Sequence, residues 1–449
     1  MRWLSSLAPV TYFSKLLETH CVAAFLQLEL FRVYATFRSL KGKWLIYMSV
    51  KHYHNASSAS VVATLMPVMA AVLVGFIIIG VALPVLPLHV KNDLGFATFI
   101  VGLVAGAQFA ASLISRVWAG SYSDRRGAKK GVVVGLIAAA VSGGIYQVSL
   151  WLVGIPLLSV AVLLAGRAIL GGAESFIITG AVAWGLALVD KEHAGKVIAW
   201  MGTAMFAAMA LGGPVGSLLY DAFGFEAIAL LTLLLPLLVL IYLARMPAVA
   251  PHQHAAQASF GSVMHAVWLP GLGAALASTG YCAILAFSSL YYSAMHWQPV
   301  WMAFTAFGVA LIIARTVAGH LPDRFGGARI ALIFVLVQTA GMLLIWLAST
   351  SLVASVGAAF AGFGYSLVYP GLGIEAISGS SPHNRGMVMG IYTAFLDVAM
   401  AVGSPALGWV GGRLGVNAIF LTGALVVLST AVVAYLLMKR SALAKRKPA

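Results

Sequence analysis

The sequence predicts an all-α integral membrane protein, with twelve transmembrane helices in two pseudo-symmetric six-helix bundles. Three observations predict it. Charged residues make up only 9% of the 449 positions, against about 25% in a soluble domain, so the chain cannot cover a water-facing surface. Apolar runs of about 20 residues, long enough to cross the hydrocarbon core, follow one another along it. One loop occurs twice: Gly120, Asp124, Arg125, Gly127 and Lys130 recur as Gly319, Asp323, Arg324, Gly326 and Arg329, at an offset of 199 (319 − 120). The arginine four residues upstream repeats as well, as Arg116 and Arg315.

The twelve expected spans fall near 64–88, 97–119, 131–153, 157–187, 195–220, 226–246, 264–291, 299–320, 328–349, 352–378, 385–411 and 416–438. A second repeat supports the division into halves. Gly195, Val197, Met209, Gly212 and Pro214 recur as Gly386, Val388, Met400, Gly403 and Pro405, at an offset of 191 (386 − 195). Both offsets run the same way, so the halves are parallel copies with a net eight-residue difference (199 − 191) between the third and fifth spans. Duplicated bundles of this kind, moving against each other, are the build of secondary transporters.

The expected organisation is an extension over 1–60, a first bundle over 61–246, a central loop over 247–262, a second bundle over 263–438 and a basic tail over 439–449. Nothing in 1–60 pairs with the repeat. The segment reads either as an interfacial amphipathic helix around 25–37 or as sequence upstream of a natural start near Met48, and the second reading is preferred. Lysine and arginine placement sets the orientation. Arg125, Arg126, Lys129, Lys130, Lys191, Lys196, Arg245, Arg324, Arg329, Arg385 and the tail fall on one side, while only Lys91 and Arg413 fall on the other. The positive-inside rule then puts both termini in the cytoplasm, and the expected location is the inner membrane.

The formal charge of +15 lies in short loops and tails, which argues against a nucleic-acid partner. Cys21 and Cys282 are too few for a disulfide framework. No metal-ligand spacing and no phosphate-binding loop of the G-x-x-x-x-G-K type occurs, so the expectation is no cofactor, no metal and no enzyme. The expected partners are a small-molecule substrate and the lipid bilayer, with the chain acting as a monomer.

The loop from Gly120 to Lys130 reads G-x-x-x-D-R-x-G-x-K-K, and with it the chain resembles the major facilitator superfamily over about 62–440. The stretches from Gly364 to Glu375 and from Tyr392 to Asp397 are similar to its YhhS-type, arabinose-efflux-permease-like group. The resemblance implies a gating role for Gly120, Asp124, Arg125, Gly127 and Lys130, and for Asp323, Arg324 and Gly326 in the second copy. Asp124 would latch the start of span eleven near Asn384, and Asp323 the start of span five near Glu192. A plain topology anchor is the alternative.

Arg167 lies near mid-membrane in span four, with Glu174 two turns further on. A charge there is costly and normally faces a partner or a wet cavity. Arg167 and Gly171 match the superfamily's fourth-span pattern, which implies proton coupling through a carboxylate that the arginine tunes. Glu174 and Asp397, the latter deep in span eleven, are the candidate carboxylates. Static ion pairing is the alternative for Arg167 and Glu174, and a neutral, hydrogen-bonded acid between packed helices is the alternative for Asp397. Gly212, Gly213, Pro214 and Gly216 resemble the antiporter motif of drug and metabolite exporters, and ordinary small-residue packing competes with that reading. Tyr281, Tyr365 and Tyr369 are cavity candidates, whereas interfacial anchoring is favoured for Tyr291 and Tyr292. The expectation is proton-coupled efflux of a small organic molecule. A proton symporter importing a sugar or organic acid is the alternative, and a transporter-like sensor or membrane enzyme is a more distant one.

Overall fold

A computed structural model describes residues 58–189, 194–246, 260–378 and 385–446. The extension over 1–57, most of the central loop and the last tail residues lie outside the described residues, and the unit described here is Val61–Ala449. In chain order the long helices are α1 Ser58–Ala82, α2 Thr98–Arg126, α3 Ala128–Trp151, α4 Pro156–Leu188, α5 194–223 and α6 225–244. The second half holds α7 Phe260–Ala294, α8 Met302–Ala318, α9 Gly327–Trp346, α10 Ser351–Ser378, α11 Arg385–Leu414 and α12 Ala418–Arg446. No strand occurs among the described residues.

Among the described residues ten helices are long and apolar enough to cross a membrane. One of them, Trp200–Ala244, has 45 residues and as a single rod would measure about 68 Å, more than twice the hydrocarbon thickness. It is two spans, α5 and α6, broken where Gly224 adopts φ 69° and ψ −168°. The α8 helix is short at 17 residues because Pro322 has no N–H for a helix running through it. The chain turns after Ala318 and resumes as Leu321–Phe325. Pro84 and Pro87 act in the same way on α1, which stops at Ala82, resumes over Leu86–Leu88 and ends in a π turn, His89–Asp93.

Polarity is reversed relative to a soluble fold. Gln108, Ser112, Ser142, Ser149, Ser175 and Gln338 are buried, while Ile114, Trp118, Trp151, Leu157, Leu238 and Val432 are exposed. Lipid is the medium in which that distribution is stable, since side-chain polar groups there need partners within the protein. Ser149 and Ser159 supply one instance: each hydroxyl donates to the other's carbonyl at 2.8 Å, tying α3 to α4.

The duplication is visible in three dimensions. In the first half α4 packs on α2 and α3, and α6 on α3; in the second α10 packs on α8 and α9, and α12 on α9. The halves meet through α2 against α11 and α5 against α8. Gly127 (φ 100°) and Gly326 (φ 93°) make the same tight turn in the two loop copies, and Gly224 (φ 69°) and Gly415 (φ 93°) are equivalent at offset 191. Only glycine adopts such angles without strain. The eight-residue difference divides evenly at one hairpin. The α9 helix is four residues shorter than α3 (24 − 20), and α10 begins four residues after the equivalent of Pro156 (351 − 347).

Glycines let the halves approach backbone to backbone. A methyl group at Gly102 would strike the Ser404 carbonyl, one at Gly106 the Ala401 carbonyl, and one at Gly408 the Thr98 carbonyl. All of these contacts lie at the end of the bundle away from the basic loops. Toward the basic loops, Gly120 on α2 and Gly390 on α11 have nothing within 4 Å of such a methyl.

Candidate functional site

A cavity of about 290 Å³ lies between the halves. It is lined from α1, α2, α4 and α5 on one side and α7, α8, α10 and α11 on the other. Most of the wall is apolar, including Phe76, Phe109, Phe206 and Met209, and into it reach four charged side chains: Arg116, Glu174, Arg315 and Asp397. So few charges in so apolar a space act strongly on one another and on any occupant.

Arg116 on α2 and Asp397 on α11 form an ion pair across the halves. The Asp397 Oδ2 accepts from Arg116 Nε at 3.0 Å and lies 2.7 Å from its Nη2. Asp397 is nearly closed off, and Arg116 keeps 24% of its side chain open to the cavity. Glu174 on α4 is held differently: Gln108 Nε2 donates to its Oε2 at 2.7 Å. The serines behind them form a scaffold, with Ser175 Oγ donating to the Ser112 carbonyl at 2.9 Å. In the second half Ser366 Oγ donates to the Leu311 carbonyl, also at 2.9 Å. These two bonds are equivalent under the offsets (366 − 175 = 191, 311 − 112 = 199), so the frame around the cavity is itself duplicated.

Aromatic rings form one wall. Tyr281 stacks on Tyr365 at 5.0 Å between centroids, and Tyr369 lies 4.9 Å from Tyr392. The Tyr365 hydroxyl meets Ser278 Oγ at 3.1 Å and that of Tyr369 meets Thr393 Oγ1 at 3.0 Å. Tyr281, Tyr365 and Tyr369 all line the cavity. Tyr291 and Tyr292 are not interfacial anchors: both are buried, and Tyr292 bonds the Ser351 carbonyl and Ser355 Oγ. The Tyr292 hydroxyl thus finds its partners on α10, and the Tyr291 ring packs against Trp297 and Phe420.

Arg167 lies apart from this group. It is fully buried and absent from the cavity wall, and its nearest polar partner is the Tyr146 hydroxyl, 3.5 Å from Nη1. Among the described residues no carboxylate lies within 4 Å of it, and its Nε and Nη2 have no hydrogen-bond partner. The carboxylate–arginine pairing expected around Arg167 is made instead by Arg116. Its position had been marked only by its repetition at Arg315, which was the available signal for both cavity arginines. Gln108 and Phe206 carried no such signal.

Among the loop residues, Gly127 is buried at its turn, Asp124 is half-buried, and Arg125, Lys130, Asp323, Arg324 and Gly326 are exposed. The partners expected at Asn384 and Glu192 lie outside the described residues. Lys129 Nζ donates to the Met246 carbonyl, and Glu375 accepts from the Ala328 N–H at the start of α9, where the helix dipole favours a carboxylate. In the glycine–proline segment, Gly212 and Gly216 abut Gly80 and Val81 of α1, while Gly213 abuts Phe304 of α8. Pro214 continues inside α5.

A family model described as the Major Facilitator Superfamily matches residues 68–374 and, again, 301–449. An uncharacterised MFS-type transporter of Salmonella typhimurium is 36% identical over 377 residues, covering 84% of this chain and 97% of that protein. Among solved structures, that of a D-xylose–proton symporter is similar with a TM-score of 0.69 at 14% identity, covering 84% of this chain and 98% of the other. The human organic anion transporter MFSD10 is similar with a TM-score of 0.60 at 17% identity, covering 84% and 100%.

Proposed function

Because the chain belongs to the Major Facilitator Superfamily, we propose that it carries a small organic molecule across the inner membrane by alternating access, coupled to protons and in the direction of export. The observation that carries this reading is the cavity between the halves, with two carboxylates, Glu174 and Asp397, in its wall. With the basic loops cytoplasmic, the glycine contacts at the opposite end close the outside, and the cavity belongs to an inward-facing state.

Asp397 and Arg116 supply the coupling device in this reading. An ionised Asp397 holds α11 to α2 through the arginine. A proton on Asp397 removes the charge, weakens that bond and frees Arg116 for other company. Glu174 is the second proton carrier, held by Gln108. Arg116 takes the tuning part that the fourth-span pattern suggests for Arg167, which instead ties α4 to α3 through Tyr146. Asp124 and Asp323 serve the cytoplasmic gate, and Gly212, Gly213, Pro214 and Gly216 seal the packing of α5 on α1 and α8.

A second reading, import by proton symport, draws support from the likeness in fold to the D-xylose–proton symporter. Fold alone does not choose between them. The test is accumulation of labelled drugs, sugars and organic acids in membrane vesicles of both orientations under an imposed proton gradient. Export predicts accumulation only in inverted vesicles and its loss with a protonophore. Accumulation only in right-side-out vesicles selects the symport reading, and uptake indifferent to the protonophore removes proton coupling.

A further inference from the structure

Superposing the two halves by their offsets uncovers a broken symmetry at the cavity. Arg116 corresponds to Arg315 (315 − 116 = 199), and the partner of Arg116, Asp397, corresponds to position 206 (397 − 191). That residue is Phe206. Arg315 takes up the equivalent relationship across the halves, with its guanidinium carbon 4.9 Å from the centre of the Phe206 ring. One arginine of the pair therefore meets a carboxylate, and its duplicate meets an aromatic face at the same station. The remaining acid is also unmatched, since Glu174 corresponds to Tyr365 (365 − 174 = 191).

An aromatic face steadies a guanidinium without neutralising it. Stacking also occupies only the flat face, leaving the N–H groups around the edge. Among the described residues none of those groups on Arg315 has a hydrogen-bond partner, and no carboxylate lies within 4 Å of it. Its side chain forms part of the cavity wall, so that edge is reachable from inside. The other arginine is already engaged by Asp397, and Glu174 by Gln108. Arg315 is the cavity cation without a counter-charge, framed by Phe206, Tyr365 and Tyr369.

We infer that the cavity takes an organic anion, with a carboxylate or similar acid group bound edge-on by Arg315 and an apolar, preferably aromatic, body against Phe206 and the tyrosine wall. The inference rests on the transport reading only in taking the central cavity as the cargo site.

The test is binding to the purified full-length chain of three probes of one shape: 2-naphthoate, 2-naphthamide and 2-naphthylmethylammonium. Thermal stabilisation of the protein against probe concentration is the readout. The carboxylate is expected to bind at least tenfold more tightly than the amide and the ammonium. Arg315→Gln should erase that preference and Arg315→Lys retain part of it. Phe206→Asp restores the missing counter-charge and should erase the preference with Arg315 still in place, which separates charge from folding. Binding without preference for the carboxylate, absence of binding by all three, or a preference that survives both Arg315→Gln and Phe206→Asp would overturn the inference. Failure of the transport reading looks different: the carboxylate is bound selectively, yet no compound crosses the membrane in vesicles.

Discussion

Arg116 and Asp397 stand 281 positions apart in the chain, and their side chains meet at 2.7 Å across the two halves of the molecule. It is the ion pair that joins the halves among the described residues inside the cavity, and it sits where α2 and α11 must part if the halves are to rock. Asp397→Asn keeps the shape and removes the charge. It should lower stability by about 2 kcal/mol, the scale of a charge-assisted hydrogen bond, and uncouple substrate movement from protons. Melting temperature and vesicle exchange, measured together, check both parts.

Glu174 faces the same cavity but is held by an amide instead of an arginine. Glu174→Gln should therefore leave the protein folded and abolish proton-driven exchange. Undiminished exchange with an unchanged pH dependence would remove Glu174 from the mechanism.

The two loop copies turn on Gly127 and Gly326, whose φ angles of 100° and 93° are outside the reach of other residues without strain. Gly127→Ala and Gly326→Ala should each cost about 1–3 kcal/mol. The effect should appear as a lower thermal midpoint, whereas Gly120→Ala, with open space around it, should be close to neutral. A Gly120→Ala loss as large as that of Gly127→Ala would show that the turn is not the source.

Closure away from the basic loops depends on glycine backbones in contact. Gly102→Val cannot coexist with the Ser404 carbonyl in the arrangement described here. It should drive the population toward the opposite state, in which the basic-loop end is shut. A cysteine placed at Thr393 in the cavity wall should then react more slowly, by tenfold or more, with a thiol reagent supplied from the basic-loop side. An unchanged rate would mean that α2 and α11 do not separate at Gly102.

Much of the architecture was legible because lipid restricts the chain to a few options. Span number, the parallel duplication and the glycine turns follow from apolar run lengths and two constant offsets. The break at Gly224 falls between the expected spans 195–220 and 226–246, whereas the restart beyond α8 as Leu321–Phe325 was less visible, since Pro322 acts through the backbone and hydropathy does not register it. At the site, Glu174 and Asp397 stood out as charged groups deep in the membrane, and the three tyrosines through the spans that the family resemblance places around a cavity. Their partners did not. The contact of Arg116 with Asp397 joins α2 to α11, and that of Arg315 with Phe206 joins α8 to α5. Sequence offers no measure of such distances in a single chain. The repeat contained the clue nonetheless: two arginines 199 residues apart, one matched by an acid and one by a phenylalanine at the equivalent place.

The most direct single measurement is substrate-evoked proton movement in liposomes that hold the purified chain and a pH-sensitive dye, comparing the wild type with Asp397→Asn. Proton-coupled transport through the cavity predicts that a compound accepted by the wild type collapses an imposed proton gradient and that the variant binds it without proton movement. Equal proton movement in both, at equal protein and substrate, would contradict the account.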